Sequence, residues 1–204
     1  MSGIEEVYVS GAVEGLLDEA VLRRLISHMG GVPGPIYGKR GKTHLLRSLK
    51  GYNYAAQQAP WVVLVDLDQD AGCAPPFRSD ALPIPAPGMC FRVVVREIEA
   101  WLFADRERLA RFLAVRQALV PIEPERIKSP KDAMSQLARH SRRSDIREDM
   151  YPRPGSGRRV GPAYSSRLIQ FVADRSTGWR PEIAAQFSDS LARCLACLRM
   201  LAKR

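Results

Sequence analysis

The run Trp61-Val62-Val63-Leu64-Val65 enters just after Pro60 and stops at Asp66-Leu67-Asp68-Gln69-Asp70. No other segment restricts the fold as much. A continuous apolar, β-branched run of this length reads as a strand buried on both faces, the place of a central strand in a parallel sheet. Parallel neighbours need long crossover connections, usually helices, and the surrounding sequence supplies that alternation. Ile4–Ser10 has strand composition; after a small-residue turn at Gly11-Ala12 come Val13-Glu14-Gly15 and then Leu16, Leu17, Ala20, Val21 and Leu25 at helical spacing. Val32–Tyr37 reads as a short strand, Gly38–Lys42 as a basic glycine loop, and His44–Gln58 as a helix with Leu45, Leu46 and Leu49 inward. Ala71–Gly88 carries Pro75, Pro76, Pro83, Pro85 and Pro87 and is expected to be loop. Cys90–Val95 is a further strand, running into a helix with Ile98, Trp101, Leu102 and Leu109 at helical spacing. The reading is an α/β domain over residues 1–115, with a mostly parallel sheet flanked by helices.

Residues 116–204 are expected to form a mostly helical, Arg-rich part packed on that core. Ser129-Pro130-Lys131-Asp132 has an N-cap Ser, a proline at the first helical position and an acid in the first turn, so a helix runs from there to about His140. Ser141–Gly161 is polar, rich in Gly and Pro, and reads as a mobile loop. A last helix from about Pro181 places Ile183, Phe187, Leu191, Leu195, Leu198 and Leu201 on one stripe beside Cys194.

The chain has 204 residues, of which 46% are hydrophobic, and a net charge of +9. A disordered chain is excluded, and a polyanionic partner is favoured. Most of the excess lies in 139–180, where ten Arg face four acids. No basic region followed by an apolar segment opens the sequence and no run is long enough to span a bilayer, so a cytoplasmic protein with reduced thiols and no membrane partner is expected. Cys194 and Cys197, on an apolar helix face, read as small hydrophobes.

Chemistry concentrates where strands end. Glu14 follows the first strand, and Asp66 and Asp68 close the buried one; in an open α/β sheet such positions line the same crevice. Three carboxylates with no base in their motifs call for a cation. Mg²⁺, with Mn²⁺ as its substitute, matches hard oxygen ligands and bridges carboxylates to phosphate. Each acid also has a plainer reading, as a helix N-terminal charge or the opening of an Asx turn. Asp70 is either a third ligand or a solvated loop residue. Glu97 or Glu99 reaches the same crevice, or stabilises a helix N-terminus.

Gly38-Lys39-Arg40-Gly41-Lys42-Thr43 lacks the first glycine of a P-loop, since position 36 is Ile36. Lys39, Arg40 and Lys42 are candidate phosphate contacts, or a solvated basic turn. Arg92 and Arg96 flank the acids, and Arg158, Arg159 and Arg167 lie in GRRVGPAYSSR, where guanidinium forks suit phosphate or surface solvation. Tyr164 in that stretch reads as core.

The fragments VEGLLDE, VDLDQD, REIEAWLFAD, SPKDAM, GPAYSSRLIQFV and FSDSLARCLACLRML, in this order, resemble the bacterial TOPRIM-like proteins grouped as domain of unknown function 4276. VEG followed by VVLVDLDQD is similar to the TOPRIM module of topoisomerases, primases and OLD-type nucleases. The resemblance implies a TOPRIM-like, Rossmann-like core with Glu14 as general acid/base and Asp66 and Asp68 as metal ligands. The expected function is a Mg²⁺-dependent nuclease on DNA or RNA, in phage defence by likeness to OLD-type proteins, as a homodimer or with a partner protein of a defence system. The alternative is a non-catalytic module binding nucleotide, nucleic acid or protein.

Overall fold

The structure is a computed structural model and describes residues 6–70 and 72–202. They form two compact units: the chain up to Val94 together with the segment from Ala192, and Val95–Leu191. This division differs from the 1–115 and 116–204 partition expected from sequence. The first unit closes with its fourth strand, and the helices holding Trp101 and Leu109 bury their apolar faces within the second unit instead.

In the first unit, β1 (Tyr8–Val13), β2 (Val32–Gly38), β3 (Trp61–Asp66) and β4 (Met89–Val94) form one sheet in the order β2-β1-β3-β4. Every pairing is parallel, as the α/β reading requires. Val62 to Val65 are all at most 1% exposed, which is why that stretch carries no polar residue. No turn occurs at Gly11-Ala12: β1 runs through both to Val13, while Ile4 and Glu5 lie outside the described residues. Gly11 serves packing rather than turning. A Cβ there would stand 2.6 Å from Leu22 Cδ2 and 3.0 Å from the Val62 carbonyl, so glycine leaves the room that the Leu22 side chain fills against the strand. β2 holds Pro33 and Pro35 and is an edge strand, where missing donors cost least.

α1 (Leu16–His28) buries Leu17, Val21, Leu22, Leu25 and Ile26. α2 (Lys42–Ala55) sets Leu45 and Leu49 against Ala12, Val63 and Val65, the alternate residues of the sheet's other face. The segment expected to be loop contains α3 (Ala74–Ala81). Its prolines, Pro75 and Pro76, occupy the first helical turn, where the missing N–H groups have no intrahelical acceptor to lose.

The second unit holds α4 (Glu99–Phe103), α5 (Arg106–Leu113), α6 (Pro130–Arg139), α7 (Ser144–Met150), α8 (Tyr164–Ala173) and α9 (Pro181–Ala184). α7 falls inside the expected mobile loop, with Ile146 and Met150, four residues apart, buried on one side. The expected last helix is two: α9, then α10 (Asp189–Leu201), whose residues from Ala192 belong to the first unit. At the break, Glu125 Oε1 accepts from Ser188 Oγ (2.6 Å), Ser190 N (2.9 Å) and Ser190 Oγ (2.6 Å). Phe187 is 53% exposed there and off the buried stripe. Trp101 and Trp179 are fully buried, with their indole N–H groups donated to Ser190 Oγ (2.7 Å) and the Trp101 carbonyl (3.0 Å). Among the described residues no helix is long and apolar enough to cross a membrane.

Candidate functional site

The strand order reverses direction at β1. The chain passes from β1 to β2 on one side and later places β3 on the other, so connections leaving β1 and β3 diverge at their carboxyl ends, the position at which open α/β sheets bind ligands. Glu14 is the first residue after β1 and Asp66 the last of β3. Though 52 positions apart, they touch: the Asp66 backbone N–H donates to Glu14 Oε1 at 2.8 Å. Burial lifts the Glu14 carboxyl to about 7; the Asp66 N–H and the Lys42 ammonium oppose the rise, and Asp18 and Asp68 add to it. Asp18, one helical turn along α1, is 8% exposed.

Beyond Asp66 the turn is tightly held. Leu67 N donates to the Val94 carbonyl (2.9 Å), Asp68 adopts φ 51°, and Asp70 N donates back to the Leu67 carbonyl (3.2 Å). Asp68 and Asp70 both face one cation. Lys42 Nζ lies 3.0 Å from Asp68 Oδ2, 2.7 Å from Asp70 Oδ2 and 3.2 Å from the Leu67 carbonyl, with the Phe77 ring centroid 5.3 Å away. Burial disfavours the ammonium, but hydrogen bonds to Asp70 and Asp68 outweigh it and raise the Lys42 pKa. The acids therefore have a basic partner outside their own motifs, delivered by the glycine loop.

That loop is built by backbone geometry. Gly38 has φ 88°, and a Cβ on it would fall 2.2 Å from the Val13 carbonyl oxygen, so the turn off β2 admits glycine alone. Lys39 N then donates to the Val13 carbonyl (2.8 Å) and Gly41 N to the Glu14 carbonyl (3.1 Å), which fixes Lys42 at the first position of α2. Lys39 turns elsewhere, to Glu19 (2.9 Å) and the Ile36 carbonyl (2.8 Å). Arg40 is exposed.

Glu97 and Glu99 belong to the second unit, where both meet the start of α6. Glu97 Oε2 accepts from Lys131 N at 2.8 Å, performing the capping expected of Ser129, whose side chain makes no cap bond. Glu99 is 2% exposed; it accepts from the Tyr164 hydroxyl at 3.1 Å and lies 3.9 Å from Lys131 Nζ. Burial, followed by the Glu99 charge, pushes the Tyr164 phenol well up. Tyr164 is thus core, as read, and it also serves as a buried donor to Glu99, a role its place in GRRVGPAYSSR does not reveal.

The arginines divide similarly. Arg92 donates to the Arg193 carbonyl (2.6 Å), and Arg96 sits at φ 64° where the second unit begins. Arg159 grips Asp132 with two hydrogen bonds (3.0 and 2.9 Å). Arg167 reaches Asp149 (2.7 Å) and Asp145 (3.0 Å). Arg158 is exposed.

Among the described residues, no group of three or more His, Cys, Asp or Glu side chains is arranged to hold a metal ion. Mg²⁺ usually takes only one or two protein carboxylates, with water and substrate phosphate completing its shell. The donors at the switch point, Asp66 and Asp68 beside Glu14, are hard carboxylate oxygens of that kind. Comparison with protein-family models, with curated proteins and with solved structures finds no match to this chain.

Glu14 has a consequence for stability in metal-free buffer. Its folded-state pKa, about 7, lies above the ordinary 4.5, so the folded protein holds the proton more tightly. The contribution is fully present below pH 4.5 and is lost as pH rises to about 7. Thermal unfolding of wild type in EDTA should therefore weaken between pH 5 and pH 8 more than that of Glu14→Gln. Parallel pH curves for the two would refute the assignment.

Proposed function

We propose that the first unit is a Mg²⁺-dependent phosphodiester-cleaving module acting on DNA or RNA, with Mn²⁺ able to serve. The observation that carries this reading is the contact of Glu14 with the end of β3 at the topological switch point, beside Asp66 and Asp68. Asp66 and Asp68 are the ligands in this reading. A bound divalent ion supplies polarisation of a phosphoryl oxygen and neutralises charge in an in-line displacement. Glu14, with its carboxyl near 7, is suited to take a proton from an attacking water and return it at neutral pH. Lys42 holds the Asp68–Asp70 turn in shape and places a positive charge beside the phosphate. The net charge of +9 draws a polyanion in. The resemblance to TOPRIM-like proteins agrees with this chemistry, and through OLD-type nucleases it makes phage defence the biological setting we favour.

A second reading has its own observation. Lys42 already neutralises Asp68 and Asp70, which fits a site that binds phosphate without turnover. The two readings separate on incubating supercoiled plasmid and a structured RNA with the protein in Mg²⁺, Mn²⁺ or EDTA. Cleavage in either metal and none in EDTA is expected. Binding of both nucleic acids with no cleavage in any buffer would replace the enzyme with the binding module.

A further inference from the structure

Three of the four cysteines meet in the first unit. Cys90 on β4 is fully buried, and the sulfurs of Cys194 and Cys197, on the part of α10 that belongs to this unit, both interact with it. The junction is fixed independently by Arg92, two residues along β4, which donates to the Arg193 carbonyl at 2.6 Å. A second guanidinium, that of Arg78 on α3, is anchored at 3.0 Å to the carbonyl of Phe91, the residue after Cys90. Among the described residues Arg92 Nε is buried with no hydrogen-bond acceptor. Both guanidinium charges act on the Cys197 thiol, and positive charge of this kind stabilises a thiolate.

We propose that Cys197 and Cys90 form a peroxide-sensitive dithiol, with Cys197 attacking and Cys90 resolving. Cys197 is the one partly exposed member, so the oxidant reaches it first, whereas Cys90 and Cys194 are sealed from solvent. A hydrogen bond from the Cys90 thiol, opposed by burial, and then the Arg92 and Arg78 charges hold the Cys197 thiol down at about 7. Burial, with Cys194 and Cys197 adjoining, pushes the Cys90 thiol up.

In the first step the Cys197 thiolate attacks one oxygen of a hydroperoxide. An S–O bond forms and the O–O bond breaks; the sulfur loses two electrons to a sulfenic acid, and the leaving oxygen departs as hydroxide or alkoxide and is protonated. In the second, the Cys90 sulfur gives up its proton and attacks the Cys197 sulfur. The S–S bond forms, the S–O bond breaks, and hydroxide leaves as water with that proton. Two thiols and one hydrogen peroxide thus become one disulfide and two waters. Cys194 is not the partner. In a helix the Cβ atoms of residues three apart stand about 5–6 Å from one another, beyond the roughly 3.5–4.5 Å that a disulfide spans.

The test uses the whole chain. Protein treated with stoichiometric hydrogen peroxide is alkylated, digested without reductant and mapped by mass spectrometry, with exposed Cys73 as the internal reference. A Cys90–Cys197 cross-linked peptide is expected, and Cys197, whose thiol is held down at about 7, should be consumed at pH 7 about threefold or more faster than Cys73. Cys90→Ser should leave Cys197 as a sulfenic acid that dimedone traps, and Cys194→Ser should still form the cross-link. A Cys194–Cys197 link, or preferential loss of Cys73, would overturn the proposal. The wild-type map decides it even if a serine variant fails to fold.

Discussion

Glu14→Gln is expected to cleave nucleic acid about 10²-fold or more slowly than wild type in saturating Mg²⁺, the usual loss when a positioned acid/base is removed. The substitution is nearly isosteric, and its amide oxygen still accepts the Asp66 N–H now received by Glu14 Oε1 at 2.8 Å. It also removes a carboxyl that burial destabilises in its charged form. The variant should therefore fold as well as wild type, or better above pH 7 without metal, so lost activity cannot be assigned to lost structure. Asp66→Asn should be similarly impaired at limiting Mg²⁺, through weaker metal binding. Lys42→Met frees Asp68 and Asp70 from their ammonium and, by removing a positive charge that competes with the ion, should lower the divalent-ion concentration needed for half-maximal rate. Glu14→Gln at full activity would remove Glu14 from the chemistry.

The second large effect concerns folding of the other unit. Arg180→Met should destabilise it by about 3 kcal/mol, the range for removing one partner of a buried pair. Asp105 is 1% exposed and accepts from Arg180 Nε (3.0 Å), NH2 (2.7 Å) and backbone N (3.0 Å), with Arg108 N at 3.4 Å. Methionine fills much of the volume but leaves the carboxylate with backbone donors alone, in a setting where an unpaired charge is expensive. For a unit of this size the loss corresponds to roughly 10–20 °C in melting midpoint. Arg143→Met, which removes only the exposed pair with Asp145, is the control and should leave the midpoint unmoved. Equal melting of the two variants would show that the Asp105 pairing carries no special weight.

How much of this was legible in the sequence depended on whether the signal was local. β3 was readable because burial on both faces leaves a continuous apolar run, and Glu14 and Asp66 because a strand's carboxyl end is where its apolar pattern stops. The parallel α/β architecture followed from those alternations. Lys42 as partner of Asp68 was not readable: it depends on the β2–α2 turn, which Gly38 permits and two backbone hydrogen bonds to Val13 and Glu14 enforce. α3 and α7 were hidden because short helices opening on prolines or in polar sequence show too few periodic apolar positions. The pairing of Glu97 with the Lys131 amide is equally non-local, spanning 34 residues, while the capping signal at Ser129 points to the wrong acceptor. The unit boundary at Val94 was missed because a helix that follows a strand directly looks like the next layer of the same sheet.

The most direct test of the central claim is Mn²⁺ binding followed by electron paramagnetic resonance, in the presence of a short phosphorothioate oligonucleotide that resists cleavage. One tightly bound ion per chain is predicted for wild type, weakened at least about tenfold in an Asp66→Asn/Asp68→Asn variant whose melting is unchanged. Binding of the same strength in that variant, or no bound ion in wild type with the oligonucleotide present, would contradict a cation site at the junction of β1 and β3.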